Sequence, residues 1–211
     1  MYKTDQESFW AGRFGDDYIS RNSNEKIVAS NTAFFSNVLN GTSGIKSVLE
    51  IGANIGLNVS AINNIMPGTS FDCIEINKKA VSQLSMLRDE LGINLNVYNE
   101  SILDWSPERV YDLVLLKTVL IHINPDNIDA VYDKIYKSSS KYIVFAEYYN
   151  PVPVEIEYRG HYGRLFKRDF CGEFMSKYEG ELKLIDYGFV YHKDPLFPQD
   201  DINWFLMEKV V

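Results

Sequence analysis

Glu50-Ile51-Gly52-Ala53-Asn54-Ile55-Gly56-Leu57 is the stretch of this chain whose residue types and spacing best suit chemistry. The apolar pair Val48-Leu49 leads into an acid, two glycines follow four positions apart, and the residues after Gly56 can open a helix. That succession reads as a strand, a tight turn and a helix start. Glycine removes Cβ where the chain must turn sharply and where a ligand lies against bare backbone, and the N–H groups of the helix start point at whatever sits there. The pocket so described is of the nucleotide-binding kind. A second acid adds to it. Ser70-Phe71-Asp72-Cys73-Ile74-Glu75 reads as another strand ending in a carboxylate, nineteen positions beyond Gly56, near the roughly 20 residues at which a β-α-β unit places its ribose-binding acid. One carboxylate accepts from both ribose hydroxyls.

The dinucleotide fingerprint G-x-G-x-x-G sets its glycines against a pyrophosphate. Here Asn54 stands at the second glycine position and Leu57 at the third, so an NAD-dependent oxidoreductase is an alternative that lacks its phosphate turn. The form Glu50-x-Gly52-x-x-x-Gly56 instead resembles motif I of the class I S-adenosylmethionine-dependent methyltransferases. The resemblance implies that S-adenosyl-L-methionine is the cofactor, with its methionyl end cradled by Glu50, Gly52, Asn54, Gly56 and Leu57 and its ribose held by Glu75 beside Ile76. Many members carry glycine where this chain has Asn54, and asparagine is the residue that best tolerates left-handed backbone after glycine. A non-catalytic cofactor-binding domain would keep the same residues.

Tyr111 to Leu116 is nearly continuous in apolar residues, as a central parallel strand covered on both faces must be. In doubly wound sheets ligands sit beyond the carboxyl ends of the strands. With the cofactor oriented as the resemblance implies, Lys117, Thr118 and His122 lie beside the transferable methyl group. His122 is a candidate base because imidazole titrates near neutrality; His161 and Glu147 are the other two. The family's loop after the third strand, Asn94 to Tyr98, contacts adenine. Alignment by strand end puts Ser101 and Ile102 on the ring with Glu100 as the neighbouring acid. Asp104 and Trp105 are alternative occupants, Asp104 reading more simply as a turn cap.

The elements that must position these groups follow from the pattern around them. Phe9 to Asn22 mixes aromatics, glycines and arginines and is neither clearly helical nor clearly extended. It reads as a lid that buries Trp10 and Phe14, or as a cap over the cofactor in which Tyr18 and Arg21 hydrogen-bond the methionyl carboxylate. A helix is expected from Ser23-Asn24 to Leu39, stopped by Asn40-Gly41. Leu57 to Met66 supplies the first crossover helix. Ala80, Val81, Leu84, Leu87 and Leu91 mark a second, closed by Gly92. Pro125 and Asp126 start another through Tyr136, and Lys141 to Glu147 is the fifth strand. From Pro151 to Gly180 the pattern changes, and an insertion between the fifth and sixth strands is where substrate contacts are commonly built. Tyr148 and Tyr149 at its entrance, with Tyr158, Arg159, Tyr162 and Arg164 within it, are the candidate substrate-binding residues for an anionic, hydroxylated acceptor, arginine's fork suiting carboxylate or phosphate. Leu182 to Tyr191 and Ile202 to Val211 alternate like two terminal strands.

The expected fold is therefore α/β: a doubly wound, Rossmann-like, seven-stranded sheet, mostly parallel, with the antiparallel C-terminal strand that the resemblance implies. The 211 residues suit one domain, divided into a cap and helix (1–45), a cofactor-binding core (46–149), an acceptor-binding insertion (150–180) and the C-terminal strands (181–211). A net charge of −8 argues against nucleic acid as partner. The strand end after Leu116 also lacks the Asn/Asp-Pro-Pro-aromatic run of amino-methylating DNA enzymes. No stretch approaches the roughly 18 apolar residues of a membrane span, and no secretory signal is visible. Two cysteines, one of them in a core strand, suit reduced thiols in the cytoplasm. Three scattered histidines show no metal-ligand spacing, and no feature specifies an oligomeric state.

A more specific resemblance rests on Phe9-Trp10-Ala11-Gly12-Arg13-Phe14-Gly15, Leu120-Ile121-His122-Ile123-Asn124-Pro125, Asp186-Tyr187-Gly188-Phe189-Val190-Tyr191 and Phe197-Pro198-Gln199-Asp200-Asp201. Together they are similar to the methyltransferases associated with pseudaminic acid biosynthesis. That implies a small-molecule acceptor: a nonulosonic acid, its nucleotide-activated form or a related surface-glycan sugar.

Overall fold

β1 (Ser47–Ile51) lies between β2 (Ser70–Ile74) and β4 (Tyr111–Lys117), parallel to both, in the computed structural model, which describes residues 2–21 and 25–210. β3 (Leu95–Tyr98) extends the sheet beyond β2 and β5 (Ser139–Glu147) extends it beyond β4, again in parallel. The C-terminal strands are β8 (Leu182–Val190) and β9 (Ile202–Lys209); β9 inserts antiparallel between β5 and β8. The resulting order is β3-β2-β1-β4-β5-β9-β8, the seven-stranded, mostly parallel sheet expected, with β9 as its antiparallel member.

Both faces of the central strands are covered, which is why they read as unbroken apolar runs. Phe35 of α3 (Glu25–Val38), Ile62 of α4 (Leu57–Ile65) and Leu84 of α5 (Lys78–Leu91) pack with Val48, Phe71 and Leu113. Val131 and Ile135 of α6 (Ile128–Ser138) and Phe174 of α7 (Phe170–Lys177) pack with Leu49, Val114 and Phe145. Each such buried side chain contributes about 1.5–3 kcal/mol. An exposed pair such as Arg88–Asp89 is screened by solvent and adds little, so the two apolar layers fix the fold.

Two segments differ from expectation. Residues 9–21 are helical: α1 (Asp5–Ala11) and α2 (Arg13–Arg21) meet at Gly12. The start signal lies upstream, where the Thr4 side chain accepts the Glu7 N–H and the Glu7 carboxylate accepts the Thr4 N–H, a reciprocal capping box. A Cβ on Gly15 would lie 1.9 Å from the Trp10 carbonyl oxygen, so only glycine lets α2 fold back on α1. The insertion is a hairpin, β6 (Val154–Tyr158) and β7 (His161–Lys167), joined by Arg159-Gly160 with φ of 51° and 83°. Two successive left-handed residues make the turn whose twist matches antiparallel strands. The expected α3 start at Ser23-Asn24 falls outside the described residues.

Asn77 ties cap to core. Its Oδ1 accepts the Lys79 and Ala80 N–H groups at the start of α5, while Nδ2 donates to Trp10 O at 3.2 Å and Asp16 Oδ1 at 2.9 Å. Asn77→Ala is expected to destabilise the protein by about 1–2 kcal/mol in chemical denaturation and to speed amide exchange in α1 and α2. Unchanged exchange there would show that the cap is held by other contacts.

Candidate active site

Register brings the acids and the glycine turn together. Ile51 pairs with Ile74 on one side and with Leu116 on the other, so β1, β2 and β4 end level. Beyond that line Gly52 N donates to Ile74 O at 2.8 Å. Gly52 has φ 73°, and a Cβ there would lie 2.6 Å from Val119 Cγ2, so conformation and space both demand glycine. Asn54 is left-handed at φ 48°, as its tolerance for that region predicts. Glu75 closes the turn: Oε2 accepts the Asn54 N–H at 2.8 Å and Oε1 accepts the Asn77 N–H at 2.7 Å. Burial raises its carboxyl above the usual range while these N–H groups oppose the shift. The carboxylate, which the Ile76 N–H also meets, keeps acceptor capacity for a ligand.

These residues line a cavity of about 470 Å³ at the point where the strand order reverses, within the range of small-molecule sites. Of the expected cofactor residues, Tyr18, Gly52, Asn54, Leu57, Glu75, Ile76, Ser101, Ile102, Lys117 and Thr118 line it. Glu50, Gly56 and Arg21 do not. Gly56 caps α4 at φ 83°, and a Cβ there would meet Leu87 Cδ2 at 2.6 Å, so it serves the packing of α4 on α5. Arg21 is exposed, 5.3 Å from the Phe14 ring centroid and 5.9 Å from that of Tyr18. Glu50 stands behind the turn, with Oε1 accepting from Asn58 Nδ2 at 2.7 Å and Oε2 buried without a partner; desolvation pushes it up to about 7. A chain of side-chain amides runs from it outward: Gln199 donates to Asn31, Asn31 to Asn58 and Asn58 to Glu50.

The three candidate bases separate cleanly. His122 sits on a single 3-10 turn after β4, Leu120–His122, and lines the cavity. Its Nδ1 lies 2.6 Å from Arg164 O, which can only accept, so Nδ1 carries the proton and Nε2 keeps a lone pair. Burial lowers its pKa to about 4, leaving the imidazole neutral. Glu147 is buried and outside the cavity lining; Oε1 accepts the Val119 and Leu120 N–H groups, both at 2.9 Å. Its place is structural: it anchors the turn that carries His122. Thr118 precedes that turn with φ 56°, a strained setting for a β-branched residue costing about 1–3 kcal/mol. His161 packs against Phe9 and Phe14, at 4.9 and 5.7 Å between ring centroids, outside the cavity lining.

None of the six expected substrate residues lines the cavity. Pairing of the insertion as a hairpin puts Arg159 at its exposed tip and leaves Tyr162 74% exposed. Arg164 lies over the Phe9 ring at 5.2 Å, Tyr149 is exposed, and Tyr148 donates its hydroxyl to Asp200. Tyr158 packs beside His122, 5.2 Å between centroids. What the hairpin contributes is backbone: Arg164 O orients His122, and Gly163 O accepts from Gln6 Nε2 at 2.8 Å. The cavity wall opposite the strand tips comes instead from Thr4, Gln6, Glu7 and Trp10 and from the β8–β9 loop with His192, Pro198, Gln199 and Asp200. The Thr4-x-x-Glu7 box ahead of Phe9-Trp10 was the sequence signal for the first; the Phe197-Pro198-Gln199-Asp200-Asp201 run marks the second.

Charge discriminates between ligands. Among the described residues, Lys117 is the one lysine or arginine in the lining, against Glu7, Glu75, Glu100 and Asp200. Burial lowers the Lys117 pKa, while Asp200, Glu50 and Glu147 raise it, so its charge is already engaged. A diphosphate finds no cationic clamp here.

No protein-family model matches the chain, and no curated protein matches it. Solved structures do. The magnesium protoporphyrin IX methyltransferase ChlM from Synechocystis PCC 6803, with bound SAM, superposes at TM-score 0.67 with 12% identity, covering 100% of both chains. The fold is that of the class I methyltransferases. Burkholderia thailandensis 1,6-didemethyltoxoflavin-N1-methyltransferase, with 1,6-didemethyltoxoflavin and S-adenosylhomocysteine bound, gives TM-score 0.70 at 11% identity over 97% of this chain and 87% of that one. The plantazolicin methyltransferase BpumL, in complex with SAH, gives 0.66 at 13% over 98% and 94%. Within this methyltransferase fold the anchoring of the His122 turn is testable. Desolvation lifts Glu147 from the ordinary 4.5 to about 7, so its contribution to stability is full below 4.5 and is lost as pH rises through 7. Glu147→Gln keeps an oxygen for both N–H groups and removes the titration. Relative to the parent protein it is expected to gain on the order of 2–3 kcal/mol between about pH 5 and pH 8 in urea unfolding; parallel pH profiles would contradict this.

Proposed function

We propose that the protein is an S-adenosyl-L-methionine-dependent methyltransferase acting on a small hydroxylated acceptor, of the class of nonulosonic acids or other surface-glycan sugar intermediates. The observation that carries this reading is the donor set of the cavity. A turn of bare backbone and a ribose-competent carboxylate stand at level strand tips, and the lining is acidic. Such a lining suits a cationic, phosphate-free cofactor. The relatives with SAM or SAH bound share the fold.

When bound, the cofactor supplies a methyl group already activated by its positive sulfur. The protein's own work is then to bind, align and keep water out, and alignment alone can contribute several kcal/mol, up to ~7–11 in the best cases. Gly52 to Asn54 take the amino-acid end, Glu75 the ribose hydroxyls, and Ile76 with Ser101 and Ile102 flank the base. His122, its Nδ1 proton held by Arg164 O, receives at Nε2 the proton that the acceptor hydroxyl gives up. An anionic part of the acceptor would meet Arg21 and Arg159, the two guanidinium groups whose charge bears on Tyr18 and Tyr158.

Two outcomes test this. Calorimetric titration is expected to show that the protein binds S-adenosylhomocysteine and not NAD, and that Gly52→Asp abolishes the binding by placing bulk and charge against Val119; unaltered affinity would remove the turn from the site. His122→Asn is expected to lower kcat about 100-fold or more with S-adenosylhomocysteine affinity preserved. In the parent protein the acid limb of kcat/KM that His122→Asn removes should lie near pH 4, because burial holds His122 neutral down to about 4. An acid limb centred on the ordinary 6.5 would place the proton elsewhere.

A further inference from the structure

Three polar atoms on α1 are buried and without a hydrogen-bond partner: Gln6 Oε1, Glu7 Oε1 and Trp10 Nε1. Their residues all line the cavity, and Gln6 and Glu7 are only 8% and 7% exposed. They recur at the three- and four-residue spacing that puts side chains on one helix face. The other half of each acidic or amide group is already committed. Gln6 Nε2 donates to Gly163 O at 2.8 Å, which fixes the amide so that Oε1 is the free end. Glu7 Oε2 accepts the N–H groups of Lys3 at 2.6 Å and Thr4 at 2.7 Å, and the Thr4 hydroxyl donates to the same oxygen at 3.3 Å. The capping box therefore needs one carboxylate oxygen and leaves the second over. Buried polar groups are nearly always paired, and leaving one unpaired costs free energy. Three together on the helix that walls the cavity are the unpaired groups there that a ligand drawn against α1 can satisfy.

From these atoms we infer that α1 is the specificity wall for the acceptor, and that it selects adjacent hydroxyl groups over anionic ones. This inference rests on the methyl-transfer reading. Gln6 Oε1 and Glu7 Oε1 only accept, Trp10 Nε1 only donates, and His122, 4.5 Å from the Trp10 ring between centroids, offers an acceptor at Nε2. A hydroxyl donates and accepts at once. A sugar edge thus satisfies Gln6 and Glu7 with two of its protons, receives the indole N–H on one of its oxygens, and turns the reacting hydroxyl to His122. A carboxylate or phosphate would satisfy Trp10 alone and meet the negative charge of Glu7. The hydroxylated face of the acceptor accordingly lies against α1, and any charged portion is directed away from it.

The test uses the full chain saturated with S-adenosylhomocysteine and two variants. Glu7→Gln keeps an oxygen for the capping box and converts the spare acceptor into a donor; Trp10→Phe deletes the indole N–H. The probes are N-acetylneuraminate, its CMP-activated form and UDP-N-acetylglucosamine at millimolar concentration, followed by ligand-observed NMR and calorimetry. At least one probe is expected to bind the parent protein. Glu7→Gln and Trp10→Phe should each weaken that binding, Glu7→Gln by about 10-fold or more, while S-adenosylhomocysteine affinity is unchanged. Should Glu7→Gln fail to fold, Trp10→Phe alone decides. Absence of binding by every probe, or full affinity in a folded variant, overturns the inference. Loss of S-adenosylhomocysteine binding by the parent protein would instead overturn the methyl-transfer reading on which it rests.

Discussion

The Glu75 carboxylate, gripped by the N–H groups of Asn54 and Asn77, is the contact on which the rest of the site depends. One oxygen fixes the left-handed bend after β1 and the other fixes the first residue after β2. The two strand tips are thereby locked to one another at the end of a register already level. Burying a carboxylate is costly unless its charge is met by hydrogen bonds, and here backbone donors meet it. Through Asn77 the same joint reaches the cap helices, because that side chain also holds Trp10 and Asp16. Strand tips, turn and cap are therefore one mechanical unit.

A second unit stands across the switch point. Glu147 at the end of β5 holds Val119 and Leu120, Val119 fills the space that a side chain on Gly52 would need, and the turn that follows carries His122. The imidazole is then oriented by a carbonyl of the β6–β7 hairpin. The buried acids Glu50 and Glu147, both raised to about 7 by desolvation, are thus supports for the residues in front of them.

The parts of this arrangement legible in the sequence are those written in local pattern. Val48 to Gly56 and Ser70 to Glu75 announce two parallel strands, their glycine turn and the acid, because apolar runs and left-handed positions constrain the backbone within a few residues. His122 was legible as the imidazole after the central strand. Residues 150–180 were legible as an insertion, while the directions of Arg159, His161, Tyr162 and Arg164 were not: pairing of β6 with β7 turns them outward or against Phe9 and leaves backbone carbonyls facing the cavity. Whether a charged side chain enters a cavity is decided by strand alternation and tertiary packing, which single residues do not reveal. Gln6 and Glu7 were hidden for the converse reason, since a capping box reads as local structure and says nothing of which oxygen is left unused.

Methyl transfer as proposed requires a phosphate-free, cationic cofactor across the tips of β1, β2 and β4. A crystal structure of the complex with S-adenosylhomocysteine tests it most directly. The expected complex has ribose hydroxyls within hydrogen-bond distance of Glu75, the amino-acid end against the Gly52–Asn54 backbone, and the sulfur directed toward the side of the cavity shared by His122 and α1. Density for the compound elsewhere on the molecule, or a reversed orientation with adenine against the Gly52 turn, would contradict it.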